Sequence, residues 1–190
     1  LASAYRRRSM IGVALALLRE SALLFHALGN RPAELSALGR LSGLHGTAGD
    51  LHDARQTAEQ ALRLSRQLCD DADIVRRLVA VAGPCLLLGD HPAAERHLRA
   101  GLLLAAECRD GIAVVRCLTR LGQARLGLGH ARPAERLLHA ALRWSDRLRF
   151  PEGRIEALSG LGQVARARGE HACAVQRHEQ ALAHCQDVGP

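Results

Sequence analysis

Four Gly-led turns stand at one spacing along this 190-residue chain: Gly49-Asp50, Gly89-Asp90, Gly129-His130 and Gly169-Glu170, each forty residues after the last. Five residues beyond each Gly comes an alanine (Ala54, Ala94, Ala134, Ala174), and eight further on a leucine (Leu62, Leu102, Leu142, Leu182). Self-similarity at a fixed period marks a stack of like supersecondary units, none of which can bury its apolar face alone. A chain built this way is an array, with an extended surface in place of one enclosed active centre.

Each unit reads as two helices. Ahead of the Gly, apolar residues recur at steps of three and four, as in Val75, Leu78, Val81, Ala82 and Cys85, or Val115, Leu118, Leu121 and Gly122 with Arg125. They form one helical stripe, helix A. After the Gly comes helix B, with Ala54, Ala58, Ala61, Leu62 and Ser65 in one unit and Ala134, Leu138, Ala141, Leu142 and Ser145 in another. The Gly suits the left-handed end of helix A, Asp50 and Asp90 are placed to cap helix B, and Pro92 and Pro133 fall in its first turn. Three columns stay small: Ser42/Ala82/Gly122/Gly162, the Ala54 column, and Ala61/Gly101/Ala141/Ala181. Small residues there let antiparallel helices approach closely while the leucine columns fill the space between hairpins.

The pattern resembles the tetratricopeptide repeat. The Leu-Gly of that family's helix A is matched by Leu121-Gly122 and Leu161-Gly162; its Gly-Asp, Ala and Ala-Leu of helix B are matched by Gly49-Asp50, Ala54 and Ala61-Leu62, and again by Ala181-Leu182. The unit departs from the common length of about 34 residues, and His45, Cys85, Arg125 and Ala165 stand where the family carries aromatics. The resemblance implies an all-α fold: a right-handed α-solenoid of antiparallel helix hairpins, four full repeats and one partial. The expected divisions are a partial repeat over 1–30 and repeats over 31–70, 71–110, 111–150 and 151–190. Projecting the register backwards puts Leu1, Ala2 and Tyr5 in helix-A columns and Ala14 in the Ala54 column. The chain therefore reads as a segment of a longer one that starts mid-repeat, with uncapped ends through which copies can associate.

Composition narrows the function. The 26 basic residues against 19 acidic give a net charge of +7, yet all the basic residues are Arg and the aromatics number four: Tyr5, Phe25, Trp144 and Phe150. With so few rings on which bases could stack, the segment is not expected to bind nucleic acid. With no Lys, a phosphate-loop nucleotide site cannot be built. The longest uncharged apolar run, Leu78 to Gly89, is too short to span a bilayer, so no membrane is expected. The six cysteines show no C-x-x-C pair and lie in apolar helical stretches, which fits reduced packing residues and a cytoplasmic location.

His171, His178 and Cys185 share a face at seven-residue spacing, but two of them occupy packing columns and are read as core, so no metal, cofactor or catalytic residue is assigned. His52, His91, His130 and His171 read as exposed turn residues, Arg6-Arg7-Arg8 as a solvated helix end, and Trp144 with Phe150 as packing on the next repeat. In tetratricopeptide arrays helix A lines the concave surface. By that resemblance the binding face holds Arg76, Arg116, Arg120, Gln123, Gln163 and Arg166. Forked guanidinium groups there suit an acidic protein or peptide. The forty-residue form resembles the repeats of large multidomain bacterial transcriptional regulators and signal-transduction ATPases, which implies a non-enzymatic interaction scaffold or sensor arm of such a regulator, in contact with its neighbouring domains. A domain that binds a small signal, peptide or metabolite, is the alternative.

Overall fold

The computed structural model describes the backbone of residues 2–68 and 70–188, and the side chains of residues 10–68 and 70–185. Cys69, the side chain of Tyr5 and the Arg6-Arg7-Arg8 side chains lie outside the described residues. Nine helices and no strand occur among the described residues: α1 (Ala2–Ala27), α2 (Arg31–Ala48), α3 (Leu51–Leu68), α4 (Asp71–Leu87), α5 (His91–Glu107), α6 (Gly111–Gly127), α7 (Ala131–Leu148), α8 (Pro151–Ala167) and α9 (His171–Val188). The chain is an α-solenoid of helix hairpins, with α2, α4, α6 and α8 as the A helices and α3, α5, α7 and α9 as the B helices.

The turns follow from backbone stereochemistry. Gly49, Gly89, Gly129 and Gly169 have φ between 78° and 88°, the left-handed region that only Gly enters without cost. The same conformation recurs twenty residues ahead of the first, at Gly29 (φ 68°), and midway between later ones at two residues with side chains, Arg109 (φ 55°) and Arg149 (φ 52°). Asp90 caps helix B, its Oδ1 accepting from Ala93 N at 3.1 Å. Asp50 instead lies with Oδ2 3.6 Å from Nδ1 of His45. Asn30, Asp70 and Asp110 cap the A helices α2, α4 and α6 in the same way.

The core follows the columns. Ala54, Ala61, Ala94, Leu98, Ala134, Leu138 and Ala141 are fully covered, as are Val81, Ala82 and Cys85 on α4. The small column is a contact surface: a Cβ on Gly122 would lie 2.7 Å from Cγ of Leu138, and one on Gly162 would lie 2.6 Å from the His178 ring. At Ser42 the hydroxyl donates across the same gap to the Ala54 carbonyl at 2.9 Å. A leucine in place of Ala134 therefore has no room. Ala134→Leu is expected to lower stability by about 1–3 kcal/mol through overpacking, read as a fall in Tm; an unchanged Tm would put the helix-B register in error.

One helix-B position ties each hairpin to the next. Arg55 donates to Asp90 at 2.9 Å, Glu95 accepts from Arg125 at 2.6 Å, and Glu135 accepts from Arg168 at 2.7 Å. Residues 55, 95 and 135 are forty apart, so the link is kept while its sign reverses after the first. The bond from Arg168 holds the Glu135 carboxyl below its ordinary range, burial opposing it. The exposed Arg168–Glu135 pair contributes less than about 1 kcal/mol; together with the two part-buried pairs it orients successive hairpins.

Two expectations change, and two features appear that the spacing did not show. The register placed a helix-A end and a turn ahead of residue 11, but α1 runs unbroken through Ser9-Met10, where no Gly or Pro interrupts it. Within it, Met10–Ala27 has a mean hydropathy of 1.5 over 18 residues and is by length and composition able to cross a membrane. A search for uncharged runs passes over it because Arg19 and Glu20 sit at its centre. Pro84 lies inside α4, where it removes the hydrogen bond to the Ala80 carbonyl. Finally, Cys85 and Cys117 are buried, but Cys108 and Cys185 are exposed: Cys108 sits beyond the last turn of α5, and no described helix covers the outer face of α9. Leu182, in the leucine column, is 61% exposed for the same reason.

Candidate protein-binding face

The A helices touch one another in sequence, α2 with α4, α4 with α6 and α6 with α8, whereas no such contact joins successive B helices among the described residues. The more closely spaced layer lies on the inside of the curve, so the outward side of the A helices is the inner surface of the array. Positions 116, 120 and 123 of α6 advance by four and three residues and share that side.

Glycines set the spacing of this layer. A Cβ on Gly39 would collide with the Arg77 guanidinium, and one on Gly83 would lie 3.0 Å from Nη1 of Arg120. Gly39 and Gly83 thus each receive an arginine from the next A helix. Arg77 is held there in a largely covered site, and burial pulls its pKa below the ordinary value despite the Asp73 carboxylate 3.9 Å away.

The six expected face residues are not equivalent. Arg76 is exposed and ion-paired with Asp73 one turn earlier. Arg116 is exposed, its guanidinium carbon 5.8 Å from the centroid of the Phe150 ring, a cation–π distance. The two arginines share a small cleft of about 90 Å³ with Asp110. Arg120 is half-buried over Gly83, so it braces the layer more than it offers a free cation. Gln123 and Gln163 are half-buried and occupy the same column on α6 and α8. Arg166 is exposed, but it lies ten residues further along its helix than position 156, the Arg116 column, a displacement of about 15 Å. The structure brings Arg76 and Arg116 together and leaves Arg166 at the far end of the face.

Phe150 was assigned only a packing role, and its place beneath Arg116 follows from the turn that ends α7, which no spacing in the sequence announces. His91 also differs from its expected exposure: its ring packs where a Cβ on Gly127 would stand. His171 and Cys185 are exposed and His178 is half-buried. Among the described residues no group of three or more His, Cys, Asp or Glu is arranged to hold a metal ion.

Solved structures share this geometry. The chain superposes over its whole length on the nearly identical TPR-like repeats of Podosopora anserina, covering 93% of that chain with a TM-score of 0.72 and 17% identity. The fold is that of the tetratricopeptide repeat. A tetratricopeptide-like superposition extends to MamA, with a TM-score of 0.64 and 15% identity over 96% of this chain and 94% of that one. A Rap protein complexed with competence and sporulation factor gives 0.79 at 16% identity, over 96% of this chain but 52% of that protein. No protein-family model matches the sequence, and no curated protein matches it.

Proposed function

We propose that this tetratricopeptide array is an interaction scaffold that holds an extended protein or peptide segment along its helix-A face. The observation that carries the reading is the pairing of Arg76 and Arg116 in one shallow cleft on the inner surface, with Gln123 and Gln163 repeating further along. A cleft of about 90 Å³ is far below the roughly 300–1,000 Å³ of small-molecule pockets, which favours a macromolecular partner at this face over a metabolite. The Rap protein, solved in complex with a factor, gives a precedent for the fold. The forty-residue form further supports a setting as a sensor arm in a multidomain cytoplasmic transcriptional regulator, with no catalytic step of its own.

The test is charge reversal. A partner captured on the array is purified, and its Kd is measured against the wild type and against Arg76→Glu/Arg116→Glu. Affinity is expected to fall at least tenfold, about 1.4 kcal/mol, with a loss that shrinks as salt is raised. An unchanged Kd removes these arginines from the site.

A further inference from the structure

A second recess opens on the other side of the array. Between α1 and α3, with α2 as its floor, lies a cleft of about 610 Å³, within the range of ligand pockets. Its floor carries Leu38, Leu41 and His45. On a helix these positions fall about half a turn from positions 36, 40 and 43, the columns of the candidate face on α2. The two surfaces are therefore separate. Thr57 lines the recess at the position where the next two hairpins carry the larger His97 and Leu137, and Leu137 packs into the core there.

Three observations bear on what the recess takes. His45 is 2% exposed, and its Nδ1 has no hydrogen-bond partner. Arg19 Nη2 stands 3.4 Å from its Nε2. A guanidinium can only donate, so Nε2 accepts and Nδ1 carries the proton. Asp50 and Asp53 lie 3.6 and 3.9 Å from Nδ1, beyond hydrogen-bonding range, which leaves a buried donor that a carbonyl oxygen could satisfy.

Along the α3 wall, Gln56, Gln60, Arg63 and Gln67 follow at intervals of four, three and four, one stripe facing the recess. Gln56 and Gln60 are separated by about 6 Å of helix rise, close to the roughly 6.6–6.8 Å at which same-side groups recur in an extended peptide. A glutamine amide offers both a donor and an acceptor, the complement of a peptide unit. Arg63 has no ion-pair or hydrogen-bond partner among the described residues, and its fork fits a carboxylate. Arg31 at the other end is occupied, donating to Glu34 at 3.0 Å.

We propose that this cleft binds an extended peptide of about five residues, the length that spans Gln56 to Gln67. Its apolar side chains alternate onto Leu38, Leu41 and Leu64, its backbone pairs with the glutamine stripe and its carboxylate lies on Arg63. The probe is a degenerate pentapeptide library with Leu at the second and fourth positions and Glu at the fifth. The full chain is equilibrated with it, bound peptides are identified by mass spectrometry, and the Kd of the most enriched is measured by fluorescence anisotropy. Thr57→Leu, which fills the recess as Leu137 fills its counterpart, and Arg63→Glu are each expected to weaken binding at least tenfold. Circular dichroism verifies that both variants stay folded. Arg76→Glu/Arg116→Glu is expected to leave this Kd unchanged. No enrichment by the wild type, or equal enrichment by Thr57→Leu, overturns the cleft and leaves the helix-A reading standing. Binding that survives Thr57→Leu and Arg63→Glu but falls in Arg76→Glu/Arg116→Glu also overturns it, and assigns the peptides to the opposite face.

Discussion

Leu138→Ala is expected to cost the array about 2–5 kcal/mol, the range for emptying a leucine site in a close-packed core. Leu138 is fully covered and reaches two neighbours at once. Its side chain lies where a Cβ on Gly122 of α6 or on Gly160 of α8 would stand, at 2.7 and 2.6 Å respectively. The leucine is thus a knob on a B helix held between two A helices whose glycines make room for it. Truncation leaves a void that neither glycine can fill. Repeat arrays are stabilised by nearest-neighbour contacts, so the damage should be local. Hydrogen exchange is expected to accelerate in α6, α7 and α8 while α2 to α4 keep their protection. Uniform acceleration along the chain, or an unaltered Tm, would be inconsistent with this packing.

The second large effect is alkaline. Burial pushes the Cys117 thiol up to about 11 from an ordinary 9.0, with Arg120 opposing and Asp110 assisting. Burial raises Cys85 in the same direction. The folded state disfavours the thiolate, so its advantage over the unfolded chain is complete below pH 9. It declines as the unfolded thiol ionises and is gone once the folded thiol ionises near 11. For Cys117 alone the loss is about 1.4 kcal/mol at pH 10, from one unit of displacement at 1.36 kcal/mol. Denaturant midpoints for the wild type should fall between pH 9 and 11, and those for Cys117→Ala should fall less steeply. Parallel curves would show that Cys117 ionises freely in the folded chain. The same contrast predicts that an alkylating reagent modifies exposed Cys108 and Cys185 well before Cys85 and Cys117.

The parts of this fold that were legible in the sequence are those where only one residue type can serve. Left-handed turns call for Gly, and close helix contacts call for Gly, Ala or Ser, so Gly89, Ala134 and Gly122 announced their roles. Arg109 and Arg149 adopt the same backbone conformation without any such signal, because an arginine is not a turn residue by type. The binding face was legible only as a column. Periodicity shows which side Arg120 lies on, but its side chain is long enough to cross to Gly83, and that choice depends on the distance between α4 and α6. His45 illustrates the same limit: its column also holds Cys85, Arg125 and Ala165, and its unpaired Nδ1 depends on where Arg19, Asp50 and Asp53 come to rest.

The left-handed residues also set a rule of parity. They occur at 29, 49, 89, 109, 129, 149 and 169, so the chain reverses direction on a beat of twenty residues while its side-chain columns repeat on a beat of forty. Lengthening or shortening the array by forty residues returns every column to its own side. A change of twenty would exchange A and B helices downstream, turning the alanine-rich packing stripes outward and the arginines into the core. Growth of such an array is therefore restricted to whole hairpins. Excising residues 71–110, which joins Asp70 directly to Gly111, should leave a shorter solenoid with its columns in register, lacking Arg76 and its half of the cleft.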